Sequence, residues 1–127
     1  MEITEQQNQK IAGIAKKYGL RLILLFGSRV SGTLNKESDF DVAYLPKKLL
    51  SFNKEVKLNY EFTEIFGNDH VDTVDLSRAK PLLLYGIFKQ PRILFQIDNL
   101  IFSRYRAYAF KKYVESKPLY ELKFRYI

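Results

Sequence analysis

Hydrophobic positions in the first quarter of the chain follow two periods, one typical of a helix and one typical of a buried strand. Apolar residues recur at helical spacing before Gly19, which predicts a first helix with that glycine as its C-cap; they are Ile11, Ile14, Ala15 and Tyr18. The next run, LRLILLF over residues 20–26, is apolar almost throughout and ends at Gly27. It predicts a strand that is covered on both faces.

The stretch from Asp39 to Leu45, DFDVAYL, alternates polar and apolar residues and is followed by Pro46, so it predicts a second strand. The segment between the two strands is too short for a long crossover helix. It has room for one or two helical turns that begin at Ser28.

A second helix is predicted over residues 51–66, with Ser51 as its N-cap and Gly67 at its end. The heptapeptide HVDTVDL, residues 70–76, predicts a third strand. Its alternation places Asp72 and Asp75 on opposite faces.

The remaining pattern predicts a helix from Ser77 to about Lys89 with Pro81 in its first turn, and then a short strand or extended segment, RILFQ. A last helix is predicted from about Asp98 to Val114. The order of these elements predicts an α/β (α+β) fold, in which a small mixed sheet is flanked by helices.

Composition limits the classes of function. A chain of 127 residues fits one domain, so residues 1–127 are interpreted as a single domain. Cysteine is absent and His70 is the only histidine, which excludes disulfides, thiolate metal sites and histidine-ligated metal centres. The polar N-terminus and the lack of long apolar runs predict a cytoplasmic protein with no membrane partner.

Charge is divided unevenly along the chain. Residues 1–75 hold 10 Lys and Arg against 11 Asp and Glu, a net of −1, whereas residues 76–127 hold 11 against 3, a net of +8. The basic half is able to attract phosphates or an acidic partner. A solvated basic surface that only keeps the protein soluble explains the charge equally well.

Asp39 and Asp41 are the first candidates for a metal-binding or catalytic role. Side chains two apart on a strand point to the same face, ~6.5–7 Å apart along the chain, where two carboxylates can hold hard divalent ions. A third acid on a neighbouring strand would complete such a site. Asp72 and Asp75 are the candidates, with Asp72 preferred; Asp75 is also suited to cap the helix predicted near Ser77.

The Gly27-Ser28 pair offers the complementary groups. A glycine after a buried strand allows a ligand to approach the backbone, and a helix beginning at Ser28 would direct free N–H groups at phosphate oxygens. Arg29 is able to add charge-assisted contacts. Each piece alone has an ordinary explanation, because Gly-Ser is commonly a turn and Asp-X-Asp an exposed strand edge. Their combination predicts a triphosphate site.

The segment GSRVSGTLNKESDFDVAYL resembles the nucleotidyltransferase signature of the DNA polymerase β superfamily: Gly-Ser, ten residues, then Asp-X-Asp. The chain is most similar to the minimal nucleotidyltransferases, the MNT family, which includes the MntA-type antitoxins of HEPN/MNT toxin–antitoxin systems. The segments VDTVDLSRA and LLLYGIFKQPRILFQID, and the terminal helix with SKPLY, share a looser likeness. Val30 and Ser31 depart from the usual GSRARG form without removing a metal ligand.

The resemblance implies transfer of AMP from ATP to an acceptor hydroxyl, with release of pyrophosphate. Asp39, Asp41 and Asp72 would be the catalytic residues and would hold Mg²⁺, two ions in all. The resemblance assigns nucleotide binding to four residues, Gly27, Ser28, Arg29 and Ser38. It also implies a HEPN toxin as partner in a hetero-oligomer, with a tyrosine of the toxin as the acceptor.

Three functional hypotheses follow. The first is an antitoxin that adenylylates a HEPN toxin; the second is a non-catalytic antitoxin that acts by binding; the third is a nucleotidyltransferase for RNA or a small molecule. The segment RYRAYAFKKY would suit nucleic-acid stacking, but amphipathic helix packing explains its tyrosines more simply. His70 is predicted to be an exposed residue at a strand end.

Overall fold

A computed structural model of the chain describes residues 3–27, 40–68 and 70–125, with side chains through residue 118. The described residues form helices and strands in the order α1 (Glu5–Tyr18), β1 (Leu20–Phe26), β2 (Phe40–Pro46), α2 (Phe52–Phe66), β3 (Val71–Asp75), α3 (Pro81–Lys89), β4 (Arg92–Gln96) and α4 (Ile101–Arg125). This order confirms the predicted fold class.

Local sequence signals set the ends of the first two helices. Thr4 caps α1 through a reciprocal pair of hydrogen bonds: the Gln7 amide donates to Thr4 Oγ1 at 3.1 Å, and the Thr4 amide donates to Gln7 Oε1 at 2.9 Å. Ser51 caps α2 by accepting a hydrogen bond from the Lys54 amide at 3.3 Å. Gly19 and Gly67 end α1 and α2, as predicted.

The four described strands form one mixed sheet in the order β3-β2-β1-β4. Strand β2 runs antiparallel to β1 and parallel to β3, while β4 pairs antiparallel with the other edge of β1. The segment RILFQ, predicted to be a short strand or an extended segment, is therefore a strand at the edge of the described sheet. The Phe40 amide donates to the His70 carbonyl at 3.0 Å, so the parallel pairing extends to the first residue of β2.

The sheet separates two hydrophobic cores. One lies against α1 and α2 and includes Ile23, Val42 and Phe62. The other lies against α3 and α4 and includes Leu24, Phe88 and Ala109. Because residues 22–25 of β1 are buried and contribute to both cores, the prediction of a strand covered on two faces is confirmed.

The predicted start of α3 at Ser77 is wrong, because this helix begins at Pro81. Asp75 Oδ1 accepts hydrogen bonds from the Ser77 amide at 2.9 Å and from Ser77 Oγ at 2.5 Å, which holds the chain in a turn after β3. Lys80 then has the extended backbone, φ −74° and ψ 158°, that a residue before proline prefers. The chain becomes helical only after that residue.

The last helix also differs from its prediction, since α4 begins at Ile101 and continues to Arg125, with Pro118 inside it. Asp98 lies before the helix, where its Oδ1 accepts hydrogen bonds from the amides of Leu100 and Ile101. The periodic pattern of apolar residues that face the core ends near residue 114. The length of α4 predicted from this periodicity was therefore too short. No described helix, α4 included, combines the length and apolar character needed to span a membrane.

Candidate active site

Asp41 and Asp72 are register partners on the neighbouring parallel strands β2 and β3. Their neighbours Phe40, Val42 and Val71 are buried against α1 and α2, so alternation directs both aspartates to the other face of the sheet. Adjacent strands lie about 4.8 Å apart, which brings the two carboxylates side by side. Asp72 is exposed and Asp41 is half-buried.

Gly27 lies directly against the Asp41 carboxylate. Its φ is +85°, and a Cβ atom built on it would lie 2.2 Å from Asp41 Oδ2 and 3.1 Å from Asp41 Cγ. The pairing of Phe26 with Asp41 creates this contact, because the glycine is the first residue beyond that pair. The end of β1 therefore presents bare backbone next to the acid of β2, as expected where a ligand approaches a chain closely.

Four of the predicted site residues lie outside the residues that the structure describes. They are Ser28, Arg29, Ser38 and Asp39. The roles assigned to these four residues, and to Gly27, Asp41 and Asp72, stay predictions.

Asp75 is the other candidate for the third carboxylate of the metal site. It lies on the opposite face of β3 from Asp72 and interacts with a different set of side chains. Its side chain is only 6% exposed, and Oδ2 lies 3.7 Å from Nε of Arg78. Arg78 in turn pairs with Glu55 of α2 at 3.2 Å. Asp75 does accept a hydrogen bond from the Ser77 amide, as a capping residue would, but this bond stabilises a turn and not the start of a helix.

The surroundings of Asp75 also affect Tyr44, its register partner on β2. Burial, followed by the negative charges of Glu55 and Asp75, raises the pKa of Tyr44 to about 12, while Arg78 opposes that shift. Tyr44, Glu55, Asp75 and Arg78 thus form a polar group that joins α2 to the edge of the sheet. Their position argues for a structural role.

Asn59 of α2 is a positioning residue that the sequence did not single out. Its Nδ2 donates to the Val71 carbonyl at 2.7 Å and lies 3.4 Å from Thr73 Oγ1. These contacts fix β3 on both sides of Asp72. The sequence signal that could have identified Asn59 is its position as a polar residue directly after Leu58, which is buried, in a predicted helix.

His70 is exposed next to this site, as predicted. Its backbone amide donates to Asn68 Oδ1 at 2.7 Å, which shapes the approach to β3. The backbone of His70 therefore helps to set the register in which Asp72 meets Asp41.

The donor atoms fit a hard divalent cation such as Mg²⁺. Asp41 and Asp72 supply carboxylate oxygens on one face, and the side-chain-free surface of Gly27 leaves space beside Asp41. Within the described ranges, which do not include Asp39, no three acidic or histidine side chains gather into a metal-binding group. A third carboxylate, predicted to be that of Asp39, would complete the set.

Comparison with known proteins gives concordant results. The nucleotidyltransferase family of polymerase beta matches residues 9–100. The protein adenylyltransferase MntA of Aphanizomenon flos-aquae (strain 2012/KM1/D3) is 23% identical over 130 residues, which covers 95% of this chain and 87% of that protein.

Two solved structures share the fold. A toxin–antitoxin crystal structure with AMP-PNP superposes with a TM-score of 0.74 at 24% identity, covering 92% of this chain and 98% of that one. The MNT antitoxin bound to a tri-AMPylated HEPN toxin of Shewanella oneidensis gives a TM-score of 0.65 at 22% identity, covering 94% and 98%. With the family match spanning most of the chain, and with Gly27, Asp41 and Asp72 brought together by the fold, the protein belongs to the polymerase β nucleotidyltransferase family.

Proposed function

We propose that this protein is an adenylyltransferase that transfers AMP from ATP to a tyrosine hydroxyl of a HEPN toxin and thereby acts as its antitoxin. Family membership supports nucleotidyl transfer, and the similarity to the MntA adenylyltransferase extends over 95% of the chain. The fold matches chains of a toxin–antitoxin structure with AMP-PNP and of a complex between an MNT antitoxin and a tri-AMPylated HEPN toxin. In this proposal the protein forms a stable hetero-oligomer with the toxin, and residues 1–127 form one nucleotidyltransferase domain.

The observation that carries the proposal is the contact of Asp41 with the backbone of Gly27, together with the register pairing of Asp41 and Asp72. Two carboxylates that face each other on a sheet repel unless a cation lies between them. A magnesium–nucleotide complex would neutralise the negative charge that these two carboxylates bring to this face of the sheet.

Asp39, Asp41 and Asp72 would hold two Mg²⁺ ions, which supply charge stabilisation for the attacking and leaving oxygens when bound. The backbone at Gly27 and the side chains of Ser28, Arg29 and Ser38 would bind the triphosphate and orient its α-phosphorus.

In the transfer itself, the acceptor oxygen forms a bond to the α-phosphorus while the bond between that phosphorus and the bridging oxygen of the β-phosphate breaks. Pyrophosphate leaves with the electron pair of that bond. Asp72, which is exposed, would orient the acceptor hydroxyl and receive its proton.

The test is labelling of a co-purified HEPN protein with ATP that carries ³²P at the α-phosphate, in the presence of Mg²⁺. We expect label on the HEPN protein, and loss of the label in Asp41→Asn and in Asp72→Asn. Glu64→Gln is the matched control, because it removes an exposed carboxylate on α2 far from this face.

Each alternative predicts a different result in the same assay. Tight binding of the HEPN protein without label would indicate a non-catalytic antitoxin, and label on RNA or a small alcohol would indicate a different acceptor. A parallel reaction uses ATP that carries ³²P at the γ-phosphate. Transfer of that label to protein would contradict nucleotidyl transfer, because the γ-phosphate leaves in pyrophosphate.

A further inference from the structure

A cavity of about 510 Å³ lies at the end of the sheet opposite to Gly27 and Asp41, between the start of β1, the end of β2 and the start of α4. Six residue steps of β1 separate Arg21 in its lining from Gly27, a distance of about 20 Å along a strand. The volume lies within the range of about 300–1,000 Å³ that is common for small-molecule sites. The cavity is therefore large enough for a ligand of its own.

A β-bulge directs Arg21 to this cavity. Leu20 pairs with Pro46 and Leu22 pairs with Leu45, so Arg21 is an extra residue in β1 opposite two consecutive residues of β2. Its carbonyl accepts a hydrogen bond from the Ile97 amide at 2.9 Å, which ties the bulge to the chain after β4. Bulges of this kind redirect side chains and are common beside functional sites.

Two guanidinium groups give the cavity a positive charge. Arg21 and Arg104 both line it and are exposed, and neither side chain forms an ion pair or hydrogen bond with the described part of the chain. The acid in the lining, Asp98, already uses Oδ1 to accept hydrogen bonds from two amides at the start of α4. Paired arginines match the geometry of phosphate oxygens.

Two tyrosines supply the aromatic wall of the cavity. The rings of Tyr105 and Tyr108 are tilted by 54° with centroids 5.2 Å apart, and the Tyr105 hydroxyl donates to the Leu76 carbonyl at 3.3 Å. Tyr108 is 46% exposed, and Lys112 Nζ lies 5.6 Å from its ring centroid. An exposed tyrosine ring beside cations is a common platform for a nucleobase.

We propose that this cavity is a second ligand site, separate from the candidate active site, and that it binds a nucleoside phosphate. The phosphate lies between Arg21 and Arg104, and the base stacks on Tyr108. Asp98 accepts a hydrogen bond from a ribose hydroxyl through its second carboxylate oxygen. The proposal does not depend on nucleotidyl transfer, because it rests on side chains at the opposite end of the sheet.

The experiment measures AMP binding by equilibrium dialysis in the Asp41→Asn background, in which the candidate active site lacks a carboxylate. We expect Arg21→Ala with Arg104→Ala to raise the Kd by about tenfold or more, since two charge-assisted contacts are lost. The matched control, Lys16→Ala with Lys57→Ala, removes the same charge from exposed positions on α1 and α2 and should leave the Kd unchanged. Thermal melting establishes that each variant is folded.

Photolabelling with 8-azido-AMP then locates the bound base. We expect the label on the peptide that contains Tyr105 and Tyr108, and we expect Tyr108→Ala to weaken AMP binding without changing the binding of inorganic phosphate. Label at residues near Gly27, or an unchanged Kd after loss of both arginines, would overturn the proposal. Inorganic phosphate that competes as well as AMP would refute base recognition, and a glutamate-rich peptide that binds where AMP does not would show a docking surface instead.

Discussion

The carboxylate of Asp41 lies so close to the Cα atom of Gly27 that a Cβ atom at that position would be 2.2 Å from Oδ2. The two residues come from the ends of β1 and β2, which reach this contact through the pairing of Phe26 with Asp41. Any side chain at residue 27 would therefore displace the carboxylate. This contact links the glycine of the sequence signature to the position of an acid fourteen residues later.

Gly27→Ala should remove nucleotidyl transfer and lower the free energy of unfolding by about 1–3 kcal/mol, because strain at positive φ adds to a collision with Asp41. Rates of AMP transfer and urea unfolding curves would measure the two effects.

Gly67→Ala is the matched control for Gly27→Ala, since Gly67 has a φ of +60° but no heavy atom within 4 Å of an added methyl group. It should lose about 1–2 kcal/mol of stability through backbone strain alone and keep its transfer rate. Equal activity in the two variants would contradict a functional role for the Gly27–Asp41 contact.

Substitution of the two β3 aspartates should separate chemistry from stability. Asp72→Asn should abolish AMP transfer without lowering the free energy of unfolding by more than about 0.5 kcal/mol, because Asp72 is exposed and its charge repels that of Asp41. Asp75→Asn should retain transfer but lose about 1–3 kcal/mol, since the buried carboxylate accepts hydrogen bonds from Ser77 and faces Arg78.

A labelling assay and a denaturation curve on each of these variants would test the assignment of the third acid. Loss of transfer in Asp75→Asn with Asp72→Asn still active would reverse it.

Much of the fold could be predicted because local signals agree with the final packing. The apolar run of β1, the alternation in β2 and the caps Ser51 and Gly67 each specify an element without information from elsewhere in the chain. Strand alternation also placed Asp72 and Asp75 on opposite faces of β3. These features depend only on the period of the backbone.

The remaining features depend on contacts between distant residues. The turn at Ser77 replaces a predicted helix because the Asp75 side chain holds it, and alternation alone does not reveal that interaction. The bulge at Arg21 exists only relative to the pairing of β1 with β2. The pairing of Asp41 with Asp72 likewise required the parallel direction of β3, which the sequence pattern left open.

Asn59→Ala should destabilise the protein by about 1–2 kcal/mol, because the carbonyl of Val71 would lose the hydrogen bond that Asn59 Nδ2 donates at 2.7 Å. Transfer activity should also fall, since this bond fixes β3 next to Asp72. Urea denaturation and the labelling assay would measure the two effects.

Asn53→Ala, an exposed substitution on the same helix, should stay within about 0.5 kcal/mol of the parent. Indistinguishable stability of the Asn59 and Asn53 variants would contradict the anchoring role of Asn59.

Alkaline pH should destabilise the protein through Tyr18 and Tyr44. Burial, together with the hydrogen bond to Glu61 and its charge, raises the pKa of Tyr18 to about 12, and burial with nearby acids raises the pKa of Tyr44 to about 12, against 10.0 for an ordinary tyrosine. Both phenols thus keep their protons in the folded state at pH values where the unfolded chain loses them. The stabilisation is complete below pH 10 and is lost as the pH rises toward 12.

The free energy of unfolding, measured by urea denaturation at pH 9, 10, 11 and 12, should therefore decrease across this window by about 1–2 kcal/mol for each tyrosine, a range that allows for solvent screening. Tyr44→Phe keeps the buried ring but has no proton to lose, so its decline should be shallower than that of the parent. Tyr18→Phe should reduce the slope in the same way, and the double variant should be flattest. A parent slope retained in the double variant would show that other groups control alkaline unfolding.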